Sequence, residues 1–255
     1  MAIVETEALA EGVAGLILNR PEKRNALDLE IRTGLMNGLE GLLADDAVRA
    51  IVIKGNGGHF CAGGDITTMT DLDPVAARAR MKSGHRLVRM LYEAEKPIVA
   101  AVEGFAVGAG AGLAMSADSI VMGEGATMGF PFFRLGLVPD WAILYYLPRR
   151  VGVGRAKQIL LEAAMVKAPQ AVALGMADHM VADDGVVAHA VGLAETYARQ
   201  PRHAFAIVKR QLHLYPTGFD EALEMEAMAQ SLGFNTSDFE EGRSAFLEKR
   251  KPAFG

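Results

Sequence analysis

The chain has 255 residues, 51% of them hydrophobic and 22% charged, and a formal net charge of −5. That length fits one large domain, or a core with an appendage, and suffices to bury most of the apolar surface. The acidic balance, with Lys and Arg scattered except at Arg149-Arg150 and Lys249-Arg250-Lys251, argues against a nucleic-acid footprint, and no apolar run reaches the ~20 residues of a membrane span. The first residues, Met-Ala-Ile-Val-Glu-Thr-Glu, are acidic where a targeting leader would be basic, so a soluble, cytoplasmic protein with neither nucleic-acid nor membrane partner is expected.

Short β-branched runs then alternate with amphipathic stretches. Strands are predicted over 14–18, 50–53, 98–102 and about 119–122, with helices over 28–43 and 74–94. Asp28 is placed to cap the first helix, with Leu29, Ile31, Leu35, Met36, Leu39, Leu42 and Leu43 near helical spacing as its packing face. Beyond residue 147 the pattern turns almost wholly helical, with candidates over 155–163, 169–174, 186–199, 201–213, 219–232 and 238–249. This is an α/β chain with a helical annex. Cys61, the single cysteine, excludes an internal disulfide, and six histidines without a His-x-x-x-His pair predict no metal site.

Two glycine-rich stretches and one acid carry the chemical signal. Phe60-Cys-Ala-Gly-Gly-Asp65 and Gly104-Phe-Ala-Val-Gly-Ala-Gly-Ala-Gly112 have neither phosphate-loop nor dinucleotide spacing. They suit tight turns and close packing, or bare backbone N–H groups that meet a developing negative charge. Asp140 is the lone acid between Gly125 and Leu147, in Leu137-Val-Pro-Asp-Trp-Ala142. A carboxylate among Phe130, Phe132, Phe133 and Trp141 suits general-base work at a raised pKa; the same Pro-Asp pair also suits the cap of a helix starting near Trp141. His59 and His85 receive no role.

Together with Leu18-Asn-Arg-Pro-Glu-Lys-Arg-Asn-Ala-Leu27, Lys96-Pro-Ile-Val-Ala-Ala-Val-Glu-Gly104 and Phe246-Leu-Glu-Lys-Arg-Lys-Pro-Ala-Phe254, these stretches resemble the enoyl-CoA hydratase/isomerase (crotonase) superfamily almost end to end. The resemblance implies a crotonase-like spiral of repeated β-β-α units over 1–195, a helical trimerisation region over 196–255, and homotrimers or dimers of trimers. It implies an oxyanion hole from the N–H groups of Gly64 and Ala109. It also implies a coenzyme A path along Arg24, Ala26, Ala62, Gly64, Asp65, Ile66 and Thr67, reached by Phe246 and Lys249, often from a neighbouring subunit. Asp65 could equally fix its turn, Phe246 be helix core and Lys249 be solvated. Met69, Phe132 and Trp141 would line the acyl pocket. The coenzyme A thioester is the substrate, and no separate cofactor is implied.

The two glutamates that hydratases of this superfamily use become Gly112 and Phe132 by position. Asp140 instead matches the catalytic aspartate of the ring-epoxide phenylacetyl-CoA and enoyl-CoA isomerase branch, so a double-bond shift with Asp140 as proton carrier is expected. The alternatives are hydration, hydrolysis or dehalogenation on the same fold, and a non-catalytic acyl-CoA binder.

Overall fold

The computed structural model describes residues 2–70 and 73–254. β1 (Val4–Ala10) and β2 (Val13–Leu18) form a hairpin turned at Gly12, whose φ of +70° glycine enters without a Cβ clash. β1 lies outside the expected set because Val-Glu-Thr-Glu-Ala-Leu-Ala is a half-exposed edge, with no continuous apolar run to announce it. α1 (Leu29–Ala44) starts where expected: Asp28 accepts a bond from the N–H of Ile31 at 2.9 Å, and Ile31, Leu35, Leu39 and Leu42 are buried.

The chain continues through β3 (Ala50–Gly55), α2 (Pro74–Glu93), β4 (Ile98–Val102), β5 (Phe105–Val107), α3 (Ala109–Met115), β6 (Ser119–Gly123) and β7 (Thr127–Gly129). After these come α4 (Ile143–Val151), α5 (Val153–Leu161), β8 (Met165–Lys167), α6 (Ala168–Ala173), β9 (His179–Val181) and α7 (Val186–Ala198). α8 (Arg202–Leu214), α9 (Phe219–Gly233) and α10 (Ser237–Glu248) end the molecule. The six-stranded sheet has the order β1-β2-β3-β4-β6-β9 and is parallel from β2 onward; β5, β7 and β8 make a second sheet. The strands β8 and β9 correct the expectation of an almost wholly helical second half. Three residues each, they are too short to show an alternating pattern in sequence.

Side-chain alternation divides the core into two clusters. Leu16, Leu18, Ile51, Ile53, Ile98, Ala100 and Val102 belong to the larger one with α1, α2 and α3, while Val13, Ala50, Val52, Val99, Ala101 and Val121 pack against Val186, Ala190 and Ala194 of α7. α7 covers the second face of the sheet and runs to Ala198, three residues past residue 195. Beyond it, α8 is tied to the core by the buried Lys209, whose ammonium donates to Asp118 Oδ2 at 2.8 Å and to the Lys96 carbonyl at 3.1 Å. α9 has no buried residue.

Candidate active site

The site is assembled at the C-terminal ends of β2, β3 and β4, where a parallel sheet opens onto its loops. The loop after β2 is pinned by Asn25, fully buried in the left-handed region. Its side-chain amide donates to the carbonyls of Asn56 and His59 at 3.0 and 2.7 Å, and its oxygen accepts the Arg20 N–H at 2.8 Å. The loops after β2 and β3 therefore hold one register.

The two glycine-rich stretches then run backbone to backbone. Cys61 N–H donates to Phe105 O at 2.8 Å, and Val107 N–H returns a bond to Cys61 O at 2.9 Å. A side chain at Gly110 would collide with the Cys61 carbonyl, and one at Gly63, whose φ is +99°, would sit 2.6 Å from the Val107 carbonyl. Glycine permits this approach, which brings Gly64 and Ala109 to the wall of one cavity. Among the described residues neither N–H has a protein acceptor. Gly108, at φ +54°, makes the turn, so Ala109 opens α3 in ordinary helical geometry.

Asp140 reaches the same cavity from the segment before α4. Its Oδ1 is buried and has no hydrogen-bond partner, and burial raises the carboxyl's pKa above the ordinary range; its own backbone N–H, then His85, Arg80 and Arg32, pull it part of the way back. It does not cap a helix with its side chain. α4 begins at Ile143, and the Ile143 N–H bonds the Asp140 carbonyl, not its carboxylate. Trp141 and Ala142 both have positive φ, at 51° and 57°, the left-handed kink that sends the Asp140 chain past the cavity. Trp141 is buried in a slot between two glycines: a Cβ at Gly84 would touch the indole at 3.7 Å, and one at Gly112 would collide with the Trp141 backbone, 2.7 Å from its carbonyl oxygen.

Of the residues expected to act together, Ala62, Gly64, Ile66, Met69, Ala109, Phe132, Asp140 and Trp141 share this cavity. Arg24 and Ala26 lie in the neighbouring loop, with Arg24 exposed and 5.8 Å over the Phe105 ring. Asp65 is 5% exposed; its carboxylate accepts from the Thr67 hydroxyl and N–H and from Lys23, which hold its pKa down to about 2. Its side chain fixes the turn. Thr67 is exposed beside it. Phe246 is 83% exposed and Lys249 ends α10 in the left-handed region; neither lines the cavity within this chain. The aromatic wall is narrower than expected, because Phe130 is fully buried in the core and Phe133 is exposed, leaving Phe132 and Trp141 on the lining. Cys61 is buried, with its thiol pushed up to about 12, and is inert as a nucleophile.

The sequence reading missed Arg32, Arg80 and His85, all on the lining. Arg32 could have been found, since it stands three and seven residues before Leu35 and Leu39, on the apolar stripe of α1. It is 5% exposed, donates from Nε to Asp28 O at 2.9 Å and from Nη1 to Arg80 O at 3.2 Å, and burial lowers its pKa. No group of three or more His, Cys, Asp or Glu side chains converges among the described residues.

This fold, with its two amides on the wall of one cavity, is that of a crotonase-type acyl-CoA enzyme. The enoyl-CoA hydratase/isomerase family model matches residues 8–255. The chain is 34% identical over 250 residues to the 1,2-epoxyphenylacetyl-CoA isomerase of Escherichia coli, covering 96% of this chain and 95% of that one. It is 35% identical over 246 residues to the crotonyl-CoA hydratase of Syntrophomonas wolfei, with coverage of 96% and 95%. The crystal structure of an enoyl-CoA hydratase/isomerase from Cupriavidus metallidurans superposes with a TM-score of 0.93 at 30% identity, covering 100% of this chain and 96% of that one. The protein belongs to the enoyl-CoA hydratase/isomerase family, and it is an acyl-CoA enzyme of the crotonase superfamily.

Proposed function

We propose that the protein shifts a carbon–carbon double bond of a 3-enoyl-CoA to the 2-position, with Asp140 as the proton carrier. Ionised Asp140 removes a proton from C2, the electron pair delocalises into the thioester carbonyl, and the oxyanion of the dienolate rests on the N–H groups of Gly64 and Ala109. The carboxyl then returns the proton at C4, leaving the double bond between C2 and C3. Each oxyanion donor is worth ~2.7–4 kcal/mol in such sites, and a positioned base ~10²–10⁴ in rate.

One observation carries the reading: among the described residues, Asp140 is the only carboxylate on a cavity whose wall also holds the Gly64 and Ala109 amides, neither of which has a protein acceptor. Among the described residues, addition of water through a carboxylate pair lacks its second acid, and the space at Gly112 is closed by Trp141. Hydration remains the second reading because a crotonyl-CoA hydratase is among the relatives. The coenzyme A portion would run past Arg24, Ala26, Ala62 and the backbone of 64–67. Phe246 and Lys249 would reach it from a neighbouring subunit of a homotrimer or dimer of trimers.

Incubation with a 3-enoyl-CoA and, separately, a 2-enoyl-CoA tests this when double-bond position and product mass are followed together. The expected result is conversion of the former at unchanged mass, reduced ~10²–10⁴-fold in Asp140→Asn with acyl-CoA affinity retained. Gain of one water by the 2-enoyl-CoA, with no isomerisation of the 3-enoyl-CoA, would overturn it.

A further inference from the structure

The cavity wall that faces Asp140 carries more positive charge than a hydrocarbon acyl chain needs. Arg32 projects from α1, Arg80 and His85 from α2, and the surrounding lining is apolar, including Leu27, Met81 and Trp141. Arg32 is buried, and two hydrogen bonds to backbone carbonyls leave part of its five-donor guanidinium unengaged among the described residues. Arg80 is half-buried, and its carbonyl accepts from Arg32, so the two residues are held together. Neither guanidinium is within 4.0 Å of a carboxylate among the described residues. Placing a guanidinium in an apolar wall without a carboxylate partner is unfavourable unless something brought in by the ligand completes it.

Resting on the acyl-CoA reading of this cavity, we propose that the preferred substrates carry a carboxylate on the acyl group, received by Arg80 and Arg32. The charge balance supports this. Among the described residues, the two lining guanidinium groups against the one lining carboxylate, Asp140, leave one positive charge, which one substrate carboxylate neutralises. During turnover the negative charge of Asp140 passes to the thioester oxygen while the acid holds the proton, so this neutrality persists at the intermediate. A bidentate guanidinium–carboxylate contact also fixes the direction of the acyl chain, and thereby which carbons face Asp140.

Saturated acyl-CoA thioesters, matched in chain length but ending in methyl or in carboxylate, test this by calorimetric titration without any turnover. The expected result is affinity about tenfold or more higher for the carboxylate-ended member at one or more chain lengths. The preference should disappear in Arg80→Met, with the methyl-ended affinity retained, and largely survive in Arg80→Lys. Equal or weaker binding of the carboxylate-ended member throughout overturns the proposal and leaves the isomerase reading standing. So does a preference that Arg80→Met does not change. A preference that behaves as expected in an enzyme that moves no double bond sinks the isomerase reading alone, and failure of both series to bind sinks both.

Discussion

Asp140 and Asp65 are both aspartates beside glycine-bearing loops, yet their surroundings push them in opposite directions. Asp140, half-buried with an orphaned oxygen, titrates above the usual ~3.9 of an aspartate, and the ionised form is the one penalised by folding. That penalty is present at pH values above its folded pKa and fades as the pH falls through it, so Asp140→Asn should raise the melting temperature near pH 7, with the gain disappearing below about pH 4. If Asp140 is the base, the acid limb of kcat/KM lies above the ordinary carboxylate range for the same reason. Asp65 is the converse. Its pKa near 2 means that ionisation stabilises the fold above about pH 4, a contribution lost as the pH falls towards 2, so Asp65→Asn should lower the melting temperature at neutral pH. Thermal melts of the two variants across pH 2–8 check both signs; parallel curves would refute the contrast.

At the scale of elements, the site is a matter of backbones allowed to touch. α3 approaches the β3 loop at Gly110, and Trp141 enters between α2 and α3 at Gly84 and Gly112. A glutamate placed at position 112 would bring its Cβ into collision with the Trp141 Cβ and 2.7 Å from the Trp141 carbonyl oxygen. Gly112→Glu should cost about 1–3 kcal/mol in stability, the usual range for overpacking, and confer no hydration of a 2-enoyl-CoA. Chemical denaturation and product mass together decide this: a stable variant that adds water would show that Trp141 yields. The two consecutive left-handed residues, Trp141 and Ala142, explain why the helix expected near Trp141 begins at Ile143.

At the scale of the molecule, an ion pair between the buried Lys209 and the part-buried Asp118 links the helical tail to the sheet. Lys209 of α8 and Asp118, which leads into β6, are 5% and 17% exposed, and Asp118 also accepts the N–H of Ile98 at the start of β4. Removing the ammonium leaves a carboxylate short of its counter-charge, so Lys209→Met should destabilise by about 3 kcal/mol. Hydrogen exchange should quicken in α8 before it does in β3 or β4; uniform protection would refute the pair's role as the tie. The tail beyond α8 shows Leu223, Met228, Leu232 and Phe246 to solvent in the single chain.

Much of this architecture was legible from periodicity and punctuation. The apolar stripe of α1, the Asp28 cap, and the buried runs of β2, β3, β4 and β6 are local properties, in which each residue reports its own environment. The glycine stretches and the isolation of Asp140 within an apolar segment were equally visible, and the resemblance joined them into one site. What only the tertiary structure decided depends on residues far apart in the chain. Sequence left Asp140 poised between a cap and a base, and only the fold showed that the Ile143 N–H bonds its carbonyl, so that the carboxylate caps no helix. The short strands β5, β7, β8 and β9 exist because partners pair with them, which three residues cannot advertise. Arg32, Arg80 and His85 became part of the site only when α1 and α2 packed beside Asp140, because the electrostatics of a cavity belong to the wall as a whole and not to any segment of the chain.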